Sequence, residues 1–259
     1  MKYHLPEARV IGQQLTGQGI YLLNILAPEI ADLAQPGQFV NIRSTRQLDP
    51  LLRRPLSICG VDRNEGLIRL WYQVVGKGTQ LMCELLPGET LDMIGPLGRG
   101  FKADLTGKKA GLIGGGMGIA PLLFLGGELA KSNSVMAFFG GRNIEQLPKQ
   151  GFMPKIPCQF ATEDGTAGYK GLVTDLFAKW LEQESPDMLY ACGPKGMLVQ
   201  VVRLARQYGI PLQVSLEAVM ACGVGACLGC TCAKSSKDEE GWLKACQDGP
   251  VFWEQEVDL

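Results

Sequence analysis

Cys222, Cys227 and Cys230 follow a C-x4-C-x2-C pattern with a further thiol downstream at Cys246, the spacing with which plant-type proteins hold a 2Fe-2S centre. Thiolates are the soft ligands that iron and sulfide need. Gly223, Gly225 and Gly229, interleaved among them, let a backbone curl round a cluster and aim N–H groups at its sulfurs. A four-thiolate zinc site would use the same residue type, but in paired C-x2-C knuckles, and one such knuckle is present here. Two thiols compete for the fourth position. Cys232 lies two residues from Cys230, where an extended backbone turns both side chains to one side and leaves little freedom for tetrahedral coordination. Cys246 lies beyond a polar loop, Lys234 to Gly241, that can fold back over the site, and it is the expected ligand. Cys59, Cys83 and Cys158 sit in apolar contexts and read as small core residues.

Three further motifs are suited to phosphate. Arg53-Arg54-Pro55-Leu56-Ser57-Ile58 enters an extended stretch; an arginine fork can grip a pyrophosphate, and a serine just beyond can hydrogen-bond a flavin ring edge. Gly76-Lys77-Gly78-Thr79 precedes the helical stretch Gln80 to Leu86, where Thr79 can cap the helix and free N–H groups can receive phosphate. Gly114-Gly115-Gly116-Met117-Gly118-Ile119-Ala120-Pro121 follows an apolar strand and opens a helix, so the backbone can approach a dinucleotide pyrophosphate at the positive end of the helix dipole. The ribose-binding acid usual about 20 residues further on is missing, because the next strand ends Phe139-Gly140-Gly141-Arg142. This is therefore not the standard dehydrogenase fingerprint.

The rest of the composition narrows the chemistry. Lys plus Arg number 25 against 26 Asp plus Glu, leaving no basic excess for nucleic acid or acidic lipid. The single histidine, His4, excludes Ser-His-Asp hydrolases, His-rich zinc enzymes and Rieske clusters, so cofactors must carry the reaction. Nine cysteines behind an opening MKYHLPEARV without an apolar core argue against secretion and for a reducing cytoplasm. Ala110 to Leu129 is long and apolar enough to cross a bilayer, but its seven glycines, Pro121 and flanking lysines fit a buried strand, a glycine turn and a helix better.

These motifs must be positioned by three units. Over residues 1–100 short strands are expected at Ala8–Leu15, Ile20–Leu26, Gln38–Ser44, Pro55–Val61, Leu67–Val75 and Glu89–Ile94, separated by Pro-Gly and Gly turns. In Leu67–Val75 the period of two puts Ile68, Leu70, Tyr72 and Val74 on one face, as in a small antiparallel barrel. Over 101–216 strands at Ala110–Ile113, Val135–Phe139, Cys158–Thr162, Met188–Cys192 and Leu212–Leu216 alternate with helices starting at Ile119, Thr174 and Pro194, which implies a parallel sheet covered on both faces. Pro194 in the first turn and Gly209 past the end bracket the last helix. Residues 217–259 form a small cysteine-rich unit.

The order Arg54-Pro55-Leu56-Ser57, Gly78-Thr79, Gly114 to Pro121 and Cys192-Gly193-Pro194 resembles the ferredoxin-NADP reductase superfamily, in which an FAD-binding β-barrel precedes a nicotinamide-binding α/β domain. The C-terminal aromatic that those proteins stack on the flavin is absent. With the cysteine-rich tail in its place, the whole chain resembles the electron transfer subunits of the NAD-dependent bacterial dihydroorotate dehydrogenase B. The resemblance implies that Arg54, Pro55, Leu56, Ser57, Trp71, Tyr72, Gln73, Gly78 and Thr79 contact FAD, although relatives often carry a basic residue where Gln73 stands. It implies that Gly115, Gly116, Met117, Gly118, Gly141, Arg142, Cys192, Gly193 and Pro194 line the NAD site, and that Cys222, Cys227, Cys230 and Cys246 hold the 2Fe-2S cluster. Its implied partner is an FMN-containing dihydroorotate dehydrogenase catalytic subunit in a heterotetramer of two chains of each kind, serving pyrimidine biosynthesis without a catalytic acid or base from this chain. Related reductase subunits that serve sulfide dehydrogenase, hydrogenase or a ferredoxin-NADP transhydrogenase share the motifs.

Overall fold

In a computed structural model, which describes residues 3–235 and 241–259, six strands close into an antiparallel barrel: β1 (Tyr3–Gly17), β2 (Ile20–Leu26), β3 (Phe39–Arg43), β4 (Arg54–Asp62), β5 (Leu67–Gln73) and β6 (Thr90–Leu97), in the order β1-β2-β5-β4-β3-β6. Alternation drives the closure. Ile68, Leu70 and Tyr72 of β5 turn inward with Leu23 and Ile25 of β2, Val40 and Ile42 of β3 and Ile58 of β4. A short helix α1 (Pro28–Leu33), absent from the sequence reading, plugs the barrel with the fully buried Ile30 and Ala31. A second, α2 (Lys77–Cys83), starts three residues earlier than expected. The lone histidine is a surface strut, its Nε2 lying 2.8 Å from Asp92 Oδ1.

The second unit carries β7 (Lys109–Gly115), α3 (Ile119–Leu129), β8 (Ser134–Gly141), β9 (Cys158–Thr162), β10 (Tyr169–Lys170), α4 (Val173–Leu181), β11 (Met188–Cys192), α5 (Lys195–Tyr208) and β12 (Leu212–Ser215). The tail adds the hairpin β13 (Thr231–Ala233) and β14 (Trp242–Lys244), then β15 (Val251–Trp253). The sheet runs β10-β9-β8-β7-β11-β12-β15 and is parallel except at its end, where β15 of the cysteine-rich tail joins β12 antiparallel. Of the polar loop Lys234 to Gly241, residues 236–240 lie outside the described residues.

The apolar stretch Ala110 to Leu129 becomes β7, a tight glycine turn and α3. Ile119 to Gly126 of α3 are all buried, because the helix is wedged between the sheet and the outer face of the barrel, where Trp71, Ile20 and Leu22 meet Leu122, Leu123 and Leu125. Among the described residues no helix is long and apolar enough to cross a membrane. On the other sheet face α5 buries Leu198, Val201, Val202 and Ala205, a stripe at helical spacing. Each of its larger side chains contributes about 1.5–3 kcal/mol. The helix stops at Gly209, whose φ of 65° is the left-handed cap that glycine adopts without a Cβ penalty.

Candidate functional site

A cleft of about 410 Å3 opens where barrel, sheet and tail meet. Arg54, Pro55, Leu56 and Ser57 on β4 form one wall, and Trp71, Tyr72 and Gln73 at the end of β5 adjoin it. Both aromatic side chains are buried by packing, Tyr72 in the barrel core and Trp71 against α3 on the barrel's outer face. Trp71 Nε1 donates to Thr16 Oγ1 at 2.9 Å and Tyr72 Oη donates to Gln13 Oε1 at 2.6 Å, each ring being 2% exposed. The paired arginines also divide their work. Arg53 Nη2 holds both carboxylate oxygens of Asp92 at 2.8 Å, so Arg54 is the guanidinium of the pair that lines the cleft. It lies against the start of α2, where a Cβ on Gly78 would fall 1.9 Å from Arg54 Nε. Thr79 is not the N-cap: its Oγ1 accepts from Val75 N at 2.9 Å and Gly76 N at 3.2 Å, the return half of a capping box that braces the turn from the third helical position.

The glycine turn after β7 separates this cleft from a second of about 510 Å3. Met117 and Gly118 face the first, Gly115 and Gly116 the second, and Gln73 lines both. Gly141, Arg142 and Pro194 line the second cleft, at the carboxyl ends of parallel strands where open α/β sheets bind ligands. Close packing explains the glycines. A Cβ on Gly118 would come within 2.5 Å of the Cys192 carbonyl, and one on Gly115 within 2.8 Å of Met197 Sδ. Gly193, at φ 156°, lets the chain turn between Cys192 in the first cleft and Pro194 in the second. Burial pushes the Cys192 thiol up to about 12, with a smaller push from the charge of Glu217, so it stands neutral at the cleft wall.

Motif reading missed several lining residues. Phe39, Ser215, Glu217 and Met220 line the first cleft, and Glu163 and Gln146 the second. Glu163 follows β9, one strand further along than the usual position of a ribose-binding acid, so spacing from the glycine turn does not reveal it. Ser215 and Glu217 had a signal available, since Ser215 ends the last parallel strand and Glu217 lies two residues beyond it.

The cysteines gather beneath the first cleft. Cys222 is half-buried, Cys227 exposed, and Cys230 and Cys246 buried. Cys246 N lies 3.4 Å from Cys230 Sγ, and the two residues share a buried cluster with Phe39, Leu97, Met220 and Ala245. Cys232 faces elsewhere, its thiol 3.6 Å from the Leu243 carbonyl within the apolar layer of the sheet. Gly223 and Gly225 take φ of 69° and 89°, and even Leu228 takes 57°, so the loop wraps tightly with its N–H groups turned inward. Burial raises the Cys222 thiol, but N–H groups of Val224, Cys227 and Ala226 together with the Cys227 side chain outweigh it and bring it down to about 6. Burial and the adjacent Cys230 push Cys246 up to about 12. Among the described residues no three His, Cys, Asp or Glu side chains already stand at metal-ligand spacing; the thiols rest as two neighbouring pairs. All are soft donors and two have N–H partners at sulfur, a donor set that fits an iron-sulfur group.

A flavin-type barrel, a nicotinamide-type sheet with its glycine turn, and a tail of soft ligands against the first cleft define a pyridine-nucleotide-linked flavin and iron-sulfur oxidoreductase. The fold agrees with a solved NADH-dependent reduced ferredoxin-NADP oxidoreductase at TM-score 0.86, 30% identity and coverage of 98% of this chain and 90% of that one. A ferredoxin NADP+ reductase from Neisseria gonorrhoeae shares the fold at TM-score 0.63, with 15% identity over 78% of this chain and 91% of that one. Residues 217–258 match the iron-sulfur cluster binding domain of dihydroorotate dehydrogenase B. The electron transfer subunit of dihydroorotate dehydrogenase B (NAD(+)) from Desulforamulus reducens is 39% identical, with 95% of each chain covered. That from Listeria monocytogenes serotype 4a is 41% identical, with 98% of each covered. The chain belongs to the family of dihydroorotate dehydrogenase B (NAD(+)) electron transfer subunits. FAD, a 2Fe-2S cluster and NAD are its cofactors.

Proposed function

We propose that this chain connects dihydroorotate oxidation on an FMN-containing catalytic subunit to NAD+ in pyrimidine biosynthesis, as one of two such chains in a cytoplasmic heterotetramer. All nine cysteines are unbridged, in keeping with a reducing compartment. When bound, a 2Fe-2S cluster exchanges single electrons, nicotinamide exchanges hydride, and a flavin converts between the two. The chain's own residues then have the task of binding and spacing. Arg54 neutralises a flavin pyrophosphate beside the Gly78-Thr79 turn, Ser57 offers a hydroxyl to the ring edge, and Pro55, Leu56, Trp71, Tyr72 and Gln73 complete the flavin wall. Gly115, Gly116, Gly141, Arg142 and Pro194 seat NAD in the second cleft, while Met117, Gly118 and Cys192, on the flavin side of the glycine turn and joined to Pro194 through Gly193, face its nicotinamide end, the neutral Cys192 excluding water without adding charge. Cys222, Cys227, Cys230 and Cys246 hold the iron.

The observation that carries this reading is the contact between the two redox neighbourhoods. Phe39 and Met220 line the flavin cleft and pack in the same buried cluster as Cys230 and Cys246, so one layer of side chains lies between them. The test is co-purification from the native cell, identification of the bound chain, and an assay of NAD+-dependent orotate formation by the complex. Recovery of an FMN-containing dihydroorotate-oxidising subunit supports the proposal. Recovery of a different enzyme, with no orotate formed, replaces it with a related reductase subunit.

A further inference from the structure

Strand β3 reads Phe39-Val40-Asn41-Ile42-Arg43, and Val40 and Ile42 fill the barrel. Phe39 and Asn41 therefore face outward, where strand alternation normally puts solvent-facing residues. Asn41 is nevertheless 0% exposed, because the cysteine-rich tail covers it. Its Nδ2 donates to the Cys222 carbonyl at 3.0 Å, and its Oδ1 has no partner. A buried amide left half unsatisfied is destabilising relative to an apolar residue of the same shape, so stability alone does not account for it. Opposite stands Gly223, at φ 69°, where a Cβ would fall 2.4 Å from Asn41 Nδ2. The residue after the first thiol thus has no side chain where the amide sits.

The main chain of Asn41 pairs with Pro55 on one side and Ile94 on the other. Pro55 belongs to the flavin-cleft wall. A single residue thereby joins that wall to the first cysteine of the iron-sulfur loop. Holding the Cys222 carbonyl fixes the peptide plane that leads into Gly223 and Val224, whose N–H lies 3.5 Å from Cys222 Sγ. N–H groups aimed at a ligand sulfur are among the features by which proteins set cluster potential and retention.

We propose that Asn41 is a positioning residue of the iron-sulfur site, orienting the Cys222–Cys227 arm relative to the flavin cleft. The inference rests on the reading that these thiols hold a cluster. The experiment uses the full chain purified anaerobically with its cofactors, as parent, Asn41→Leu and Gly223→Ala. Asn41→Leu keeps the volume and removes the donor; Gly223→Ala pushes the amide away from the other side. Flavin content monitors the fold, while the readouts are the EPR signal of the reduced cluster, its midpoint potential, and the rate of iron loss to a chelator.

Both variants are expected to keep flavin, to change the EPR line shape, to lose iron about tenfold faster, the lower end for residues that support metal ligands, and to show about a tenfold change in the reduced fraction at fixed potential, which is 59 mV for one electron. Flavin-loaded Asn41→Leu with the parent's signal, potential and iron retention would overturn the proposal. So would parallel loss of flavin and cluster in both variants, which marks a general strut. If Asn41→Leu alone fails to fold, Gly223→Ala decides by the same readouts. A parent without iron or EPR signal overturns the cluster reading itself, a result separate from any difference among variants.

Discussion

The glycine turn at 114–118 and the cysteine loop at 222–230 are both glycine-punctuated segments proposed to present backbone to a cofactor, but they are held in opposite ways. The turn is clamped by its own neighbours: β7 enters it, α3 leaves it, and the parallel partner β11 ends against it at Cys192. The loop has no strand between β12 and β13. It is held by residues distant in sequence, with Asn41 on the Cys222 carbonyl, Lys244 Nζ donating to the Gly225 carbonyl at 3.4 Å, and Phe39 and Leu97 under Cys230 and Cys246. A site framed by sheet hydrogen bonds is largely preformed. One framed by side chains depends on whatever fills it. The two should therefore fail independently.

The largest expected effect comes from removing a thiol. Cys246→Ser should abolish electron flow from the catalytic partner, measured as NAD+ reduction in the presence of dihydroorotate, while NADH-driven reduction of a small dye through the flavin persists. Loss of both activities would mean that the tail and the nucleotide clefts are one structural unit and do not fail independently. The reverse lesion is Gly118→Val. Its Cβ would fall 2.5 Å from the Cys192 carbonyl and 2.6 Å from Gly193 Cα, backbone atoms that cannot swing aside, and such overpacking costs about 1–3 kcal/mol. Dye reduction by NADH should fall by about tenfold or more, at 1.4 kcal/mol per decade, while the EPR signal of the dithionite-reduced cluster keeps its shape. A changed signal would show that the glycine turn also frames the tail.

The same contrast governs how much could be read from the sequence. Barrel and sheet were legible because alternation and the strand-helix rhythm are local patterns, and the glycine turn is contiguous. The thiols were legible as a spacing. The supports were not: Asn41 looks like the solvent-facing member of an alternating strand, and its burial is decided by a tail some 180 residues later. Glu163 was hidden for a similar reason, because strand order rather than chain distance brings it beside Arg142. The fork expected of Arg53 and Arg54 was divided by Asp92, a carboxylate on a strand nearly 40 residues away. Nor did composition announce that β15 would leave the tail to extend the nicotinamide sheet, which ties the third unit to the second through its backbone.

The smallest expected effect sharpens the comparison from the regular side. Burial pushes the Cys59 thiol, in the barrel wall, from the ordinary 9.0 up to about 12, with Arg69 opposing weakly. Because the folded state holds this proton more tightly than the unfolded chain, the associated stability is fully present below pH 9 and is lost as pH rises from 9 toward 12. Each unit is about 1.4 kcal/mol, so between pH 9 and 10 the parent should lose on the order of 1 kcal/mol more than Cys59→Ala. Cys59→Ala starts from lower absolute stability because it leaves a small cavity, so the informative quantity is the slope of stability against pH, measured by urea unfolding with flavin fluorescence. Since Cys59 lines neither cofactor cleft and lies outside the buried cluster of Cys230 and Cys246, the EPR signal of the cluster should be identical in the two proteins across that range. Equal slopes would show that the barrel wall admits water at this thiol. A slope difference accompanied by a moving EPR signal would show instead that loosening the barrel is transmitted through β3 to the cysteine loop, and that the two regions are not independent at high pH.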